Sequence, residues 1–405
     1  IGEVFYLCSV LTKNKFNMKK NLRNVLALAL GLMTTVSFAQ DWNVDSRTRM
    51  DMSELGGNED YRLTTQRVTL GATWGGSDWG IHTSSDFNYN LGGINLGEGR
   101  VSATVYEAYA SANLFGMASM TVGRQALEYG SGNLVGINNW TNGDRNTWDG
   151  MSFGFDLDMA DVTLGYATRN DGRTAAANLL ATGDSTTMGD DLTNMYLNLN
   201  GEFSGWNVNV LYLTNSLADD ASFGVDLSGG IMGASVSASL NEGSNGATMR
   251  GFGLGYTVND NISLNVGQTT YGDEGEFGGF AGNMGNGRDG SSWASHGNLG
   301  FLGAGKENLH YGLSYTMGGI SLSATMHRIT DGDNADDVVA DPTLGTAGYA
   351  ADDYDRQAME LGVSYSLGSN ASLGLKYVTD ETKNDGSGVA SEQAKYTWLT
   401  LTVTP

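Results

Sequence analysis

The chain has 405 residues, among them 59 Gly, 2 Pro and 1 Cys, and a formal net charge of -23. Such an acidic balance argues against nucleic acid as a partner, and one cysteine leaves no disulfide and no thiolate metal site to build on. Beyond one short N-terminal stretch, no run approaches the roughly 20 apolar residues that a helical membrane span needs, so a helical membrane protein is excluded.

In chain order, the first signal is Lys19, Lys20 and Arg23, followed by the apolar stretch 25–33 and then Ser37, Phe38 and Ala39. A basic region, a short apolar region and a small-x-small site together predict a secretory signal peptide over 18–39. Residues 1–17, which precede Met18 and hold Cys8, read as translated upstream sequence. Residues 40–405 show no linker or composition break and are expected to form one domain.

From there the side chains alternate between apolar and polar. Ala234, Val236, Ala238 and Leu240 share one face while Ser235, Ser237 and Ser239 share the other; Ile262, Leu264 and Val266 oppose Ser263, Asn265 and Gly267. This period of two predicts strands over 42–50, 61–73, 79–89, 100–113, 117–127, 148–157, 162–169, 192–201 and 206–214. It predicts further strands over 222–228, 231–240, 249–257, 262–270, 308–316, 320–329, 357–367, 371–380 and 395–404.

Every second connection is tight: 74–78, 114–116, 158–161, 202–205, 229–230, 258–261, 317–319 and 368–370. The connections between them are longer. Alternating strands with this short and long rhythm predict an all-β fold, a transmembrane antiparallel up-and-down barrel of about 18 strands, with 16 as the alternative count. The tight turns then face the periplasm and the long loops the outside. Trp79, Trp148, Trp206, Tyr256, Tyr315, Tyr365 and Tyr377 fall near strand ends, where interfacial girdles belong. Small polar residues on the opposing faces, such as Gly251, Gly253, Gly255, Asn194, Asn198 and Asn200, predict a wide hydrated lumen.

Charge sorts by segment. The acidic excess belongs to loops and turns, whereas the strands hold slightly more basic than acidic residues. An Arg or Lys on the lipid face near the midplane costs about 2–4 kcal/mol, so strand arginines should face the lumen or a rim. Arg47, Arg49, Arg67, Arg124 and Arg169 are candidates for a cationic stripe on the pore wall, with Asp45, Asp86 and Glu107 as lining carboxylates. The alternative is dispersed lumen charge balanced by Asp86, Glu107 and Asp156.

The densest acidic loop begins Asp331, Asp333, Asp336 and Asp337. It is a weak calcium candidate, because the spacing of a calcium loop with its closing Glu is absent; no metal site is otherwise expected. The glycine-rich connection 271–307 is long enough to fold inward as a constriction. Its segment 300–307 approaches a P-loop but has Glu307 where Ser or Thr is required. His82, His296, His310 and His327 come with no nucleophile elbow and no paired-histidine metal motif, so no catalytic set is predicted.

The segment 122–136, with Gly123-Arg124-Gln125 and Tyr129-Gly130, continues through Asn139-Trp140 to Arg145 and Asp149. It resembles a stretch of the alginate-export-type outer-membrane porins, in which a Gly-Arg-Gln strand leads through a Tyr-Gly loop and an Asn/Asp-Trp pair to Arg-x-x-aromatic-Asp. The resemblance implies an eighteen-stranded barrel whose arginines guide a polyanion, and marks Arg124, Arg145 and Asp149 as residues to carry over. The nearly balanced strands and the lack of a long periplasmic turn depart from that pattern.

The expectation is therefore an outer-membrane porin of Gram-negative type, a passive diffusion channel for ions and small hydrophilic solutes, without enzymatic activity or cofactor. An export-like channel for anionic oligo- or polysaccharides is the runner-up. A barrel hydrolase and a surface adhesin represent other classes. Outer-membrane lipid, lipopolysaccharide and the barrel-assembly machinery are the implied partners, and a homotrimer is an allowed assembly.

Overall fold

The computed structural model describes residues 39–54, 62–92, 102–140, 145–169, 192–216, 218–278, 293–332, 354–384, 390 and 393–404. The predicted leader, 18–39, and the segment 1–17 lie outside these residues except for Ala39. The strands are β1 (Ala39–Asp51), β2 (Leu63–Gly75), β3 (Trp79–Leu91), β4 (Ser102–Leu114), β5 (Ala118–Gln125) and β6 (Trp148–Leu157). They continue with β7 (Ala160–Arg169), β8 (Leu192–Phe203), β9 (Trp206–Asn215), β10 (Ser222–Ile231), β11 (Ala234–Glu242) and β12 (Thr248–Asn259). The last six are β13 (Ile262–Tyr271), β14 (Lys306–Met317), β15 (Ile320–Asp331), β16 (Asp355–Ser366), β17 (Ala371–Asn384) and β18 (Ala394–Val403); one short helix, α1 (Trp293–His296), precedes β14.

Each strand pairs antiparallel with its sequence neighbours, and β1 pairs with β18 from Ser46↔Val403 to Asp51↔Trp398, so the sheet of 18 strands closes on itself. Closure leaves no sheet edge, which is what lets strands cross a bilayer.

The alternation decides what faces outward. On β12 to β14, Phe252, Leu254, Tyr256, Leu264, Val266, Leu309, Tyr311 and Leu313 are all exposed, which is the pattern of a belt that contacts lipid. The other parity faces the bore. There a Cβ on Gly251, Gly253 or Gly255 would come within 2.4–2.7 Å of the Oγ of Ser239, Ser237 or Ser235. Serine and glycine are thus matched across β11 and β12, keeping this wall thin.

Four tight turns use residues with positive φ in succession: Phe115-Gly116 (57°, 70°), Ser204-Gly205 (53°, 81°), Met232-Gly233 (52°, 84°) and Gly318-Gly319 (59°, 84°). That is the geometry whose twist suits a hairpin. The sequence pattern misplaced one of them. The turn expected at 229–230 lies at Met232-Gly233, and Gly229 and Gly230 belong to β10. Gly229 is a strand residue because its cross-strand partner Trp206 lies over it, and a Cβ there would stand 2.6 Å from the indole.

A second local feature re-aims a strand. Across β3 and β4, Ser84 pairs with Glu107 but Ser85 pairs with Val105, so Tyr106 is an extra residue in β4. Bulges of this kind turn consecutive side chains to one face. Tyr106 and Glu107 both point into the lumen, while Val105, 48% exposed, faces out.

Met232 is almost fully exposed in a left-handed conformation, which costs an ordinary L-residue roughly 1–2 kcal/mol. Met232→Asn should therefore stabilise the folded barrel by about 1 kcal/mol. The measurement is the urea midpoint in detergent or lipid; an unchanged or lower midpoint would contradict the turn assignment.

Candidate functional site

After Gln125 the chain leaves the sheet and enters the bore, which is why β5 is shorter than predicted. The Ala126 amide donates to the Glu107 carboxylate (3.3 Å), not to a strand neighbour. The Tyr129 amide donates to the Val135 carbonyl (3.0 Å), closing a compact loop around the buried Leu134 and Val135. Burial pushes the Tyr129 phenol above its ordinary pKa, so it stays protonated and donates to the Tyr196 hydroxyl on β8 (3.4 Å). The Ser131 amide donates to Asp226 on β10 (2.9 Å). Gly130 has φ 56°, and a Cβ there would fall 2.1 Å from the same carboxylate, so this docking requires glycine.

The segment then reaches β1, β2 and β18. Because β10 and β1 stand halfway round the ring from one another, the loop spans the lumen from wall to wall. At its far end Arg47 donates to the carbonyls of Asn139 and Trp140 (2.8 Å to the latter), Arg49 donates to Trp140 (2.8 Å) and Arg67 to Asn139 (3.4 Å). The Arg49 guanidinium lies 3.4 Å from the Trp140 ring centroid.

Arg47 and Arg67 are direct cross-strand partners, an arrangement of like charges that is unfavourable by itself. Two compensations are visible. The loop carbonyls present the negative ends of their dipoles, and Asp45 stands 3.7 Å from Arg67. Nearby, Asp86 is held by Arg145 Nε (2.8 Å) and the Thr69 hydroxyl (2.7 Å), while the Arg145 guanidinium lies 3.2 Å over the Tyr106 ring. Glu107 approaches His82 at 3.6 Å, and His82 stacks on Tyr109. Arg47, Arg49, Arg67 and Arg145 are matched in number by Asp45, Asp51, Asp86 and Glu107, but the three strand arginines are the groups gathered at the end of the crossing loop.

A second segment folds in from the connection before β14. Trp293 of α1 is completely buried, edge-on to His327 of β15. Lys376 of β17 donates to the Gly297 carbonyl (2.6 Å) and is also paired with Glu360, which accepts from His327 at 2.9 Å. The two infolded segments meet where the Trp140 indole donates to the Ala294 carbonyl (3.0 Å). The length of this connection left inward folding open, whereas nothing in the sequence pointed to it for 126–140, a segment that meets the wall side chains mostly through its own backbone groups.

The remaining candidates are placed differently. Arg124 and Asp149 form a two-pronged pair at 2.8 Å, but with the parity of the exposed Val122 and Met151. This is the outer face at the long-loop rim, so Arg124 does not line the pore; the parity of Met120, Val122 and Arg124 in the sequence already carried that signal. Arg169 ends β7, and its side chain lies outside the described part, as do Asp333, Asp336 and Asp337. Asp331 is occupied by Lys306 and the Tyr354 amide. Among the described residues no group of three metal-ligating side chains occurs. Asp156 sits at the short-turn end of β6, away from the arginines. Missed in the sequence were Tyr106, Trp140 as a contact residue, and the set formed by His327, Glu360, Lys376 and Trp293.

A family model described as Gram-negative porin matches residues 169–385, more than half of the chain. The chain belongs to the Gram-negative porin family. No curated protein sequence matches this porin. Its fold is similar to that of solved structures from Pseudomonas aeruginosa. OpdK has 10% identity and a TM-score of 0.65, over 91% of this chain and 100% of that one. OccK8 (OprE) has 13% identity and a TM-score of 0.63, over 91% and 99%. OpdK solved with vanillate has 10% identity and a TM-score of 0.64, over 91% and 100%. The porin is thus a non-enzymatic channel of the outer membrane, surrounded by its lipid and lipopolysaccharide and inserted by the barrel-assembly machinery.

Arg145 and Asp86 are both nearly inaccessible, and removing one partner of such a pair typically costs about 3–5 kcal/mol. In Asp86→Ala the cost should appear as release of the segment around Arg145, because the wall itself is held by strand hydrogen bonds. Limited proteolysis should cut the connection between β5 and β6 faster in the variant, with the barrel's unfolding midpoint little changed. Equal cleavage rates would show that the pair does not hold the segment.

Proposed function

We propose that this porin is a passive diffusion channel for ions and small hydrophilic solutes, and that it prefers anions. The observation that carries this reading is the convergence of Arg47, Arg49 and Arg67 on the carbonyls of Asn139 and Trp140. Their guanidinium groups are fixed where the crossing loop narrows the bore, and Arg47 lines the cleft between the infolded segments. Fixed positive charge beside the crossing loop raises the local concentration of anions and repels cations. The acidic loops act at the mouth, where salt screens them over a Debye length of about 8 Å. Vanillate, bound in the structurally similar OpdK, suggests small carboxylates as the first solutes to assay.

A second reading is an export-like path for anionic oligosaccharides. It is favoured by Arg145, carried over from the sequence resemblance, which stands in the lumen over Tyr106. Current block by alginate fragments distinguishes it from simple ion flux. Self-association into homotrimers belongs to the proposal too, and a single-barrel mass for the detergent-solubilised particle would remove it.

The reversal potential in a potassium chloride gradient should report anion preference at low ionic strength. Arg47→Gln with Arg67→Gln should shift it toward cations. A cation-selective parent, or a double variant with unchanged reversal potential, would refute the arginine filter.

A further inference from the structure

We infer that Trp140 is the specificity-determining residue for solute size, a fixed partition between an outer and a periplasmic chamber of the bore. The inference rests on the conduction reading above and adds to it a steric filter beside the electrostatic one.

Two cavities flank the infolded segments. The outer one is lined by Arg47, Glu128, Asn138 and His296, among others. The other lies against the wall near the turns of β14 to β17, with Ser314, Ser321, Ser323 and Ser364 along it and Lys376 at its upper end. Among the described residues, Trp140 is the one that lines both. A solute passing between them meets the indole.

The ring has no freedom to act as a flap. Arg49 covers one side at 3.4 Å, and Trp398 meets it edge to face with centroids 5.0 Å apart. The indole nitrogen is tied to the Ala294 carbonyl. Gly297, with φ 67°, packs so closely that a Cβ would stand 2.2 Å from the ring. Each neighbour comes from a different part of the molecule: β1, β18, α1 and the turn after it. Packing on this many sides fixes the rotamer, so the size limit is a property of the resting structure and needs no voltage or ligand to set it.

Among the described residues, the cavity below is lined largely by small side chains of β14 to β17. A Cβ on Gly362 would stand 2.4 Å from the Ser323 Oγ, so the residues there are as small as the packing allows. Removing the indole should therefore join the two cavities.

The test uses the full chain reconstituted in planar bilayers. Trp140→Ala should raise the conductance step about twofold or more and admit larger neutral polymers, while Trp140→Phe, which keeps a ring in place, should stay close to the parent. In a Cys8→Ser background, Ser323→Cys provides a single thiol in the periplasmic chamber. A bulky thiol reagent added on the long-loop side should label it about tenfold faster when Trp140→Ala is also present. Should Trp140→Ala fail to fold, judged by heat-modifiable electrophoretic mobility, the parent carrying Ser323→Cys still decides. Bulky reagent must then label faster from the short-turn side than from the long-loop side. Equal rates from both sides, or a folded Trp140→Ala channel with parental conductance, would overturn the inference. A parent that yields no steps would instead strike the conduction reading.

Discussion

Everything in this molecule depends on the hydrogen bonds between β1 and β18. In a bilayer core no water is present to pair an open strand edge, and each orphaned backbone group would cost several kcal/mol. The register from Ser46↔Val403 to Asp51↔Trp398 removes both edges at once. It also places the first strand beside the last, so Arg47 and Arg49 of β1 and Trp398 of β18 share one stretch of wall. The crossing loop finds its arginine donors and its aromatic neighbour together there because the ring closes there.

With closure secured, strand alternation divides the labour. One parity meets lipid, and the other supplies a bore whose glycines and serines leave room for two segments of chain. These segments bring Leu134, Val135, Phe277, Trp293, Phe301 and Leu302 into a core shared with the strands. The two segments are thus held by apolar packing against strand residues such as Leu211, Leu213, Ile329, Val378 and Trp398, together with their polar contacts to the wall. The same packing immobilises side chains of the wall, Arg47, Arg49 and Arg67 among them. Arg47, Arg49 and Arg67 stand close together because backbone carbonyls and Asp45 offset their repulsion.

How much of this was legible in the sequence follows from what kind of group makes each contact. The strands were readable, since period-two alternation and the rhythm of connections repeat around the whole ring. Arg47, Arg49 and Arg67 were readable as lumen residues by parity, and Arg124 could have been assigned outward by the same rule. The inward path of residues 126–140 was not readable, because its acceptors for arginine are main-chain oxygens, which every residue possesses. Trp140 was visible in a motif, yet its partners on β1, β18 and α1 are remote in the chain. The turn at Met232-Gly233 was missed because Gly229-Gly230 is the stronger turn signal; only the Trp206 ring above Gly229 explains why those glycines stay in the strand.

The extra residue in β4 changes what a strand's pattern means. Val105 and Ala108 face the same way although three positions separate them, and Tyr106 and Glu107 face the same way although they are adjacent. Strand β4 therefore consists of two runs whose phases differ by one. Any reading that assumes a single phase from end to end will assign one run to the wrong side of the membrane. For relatives of this chain, a one-residue gap inside β4 would be a change of phase and not a change of length, and it would decide whether an aromatic ring stands beside Arg145 or in the lipid.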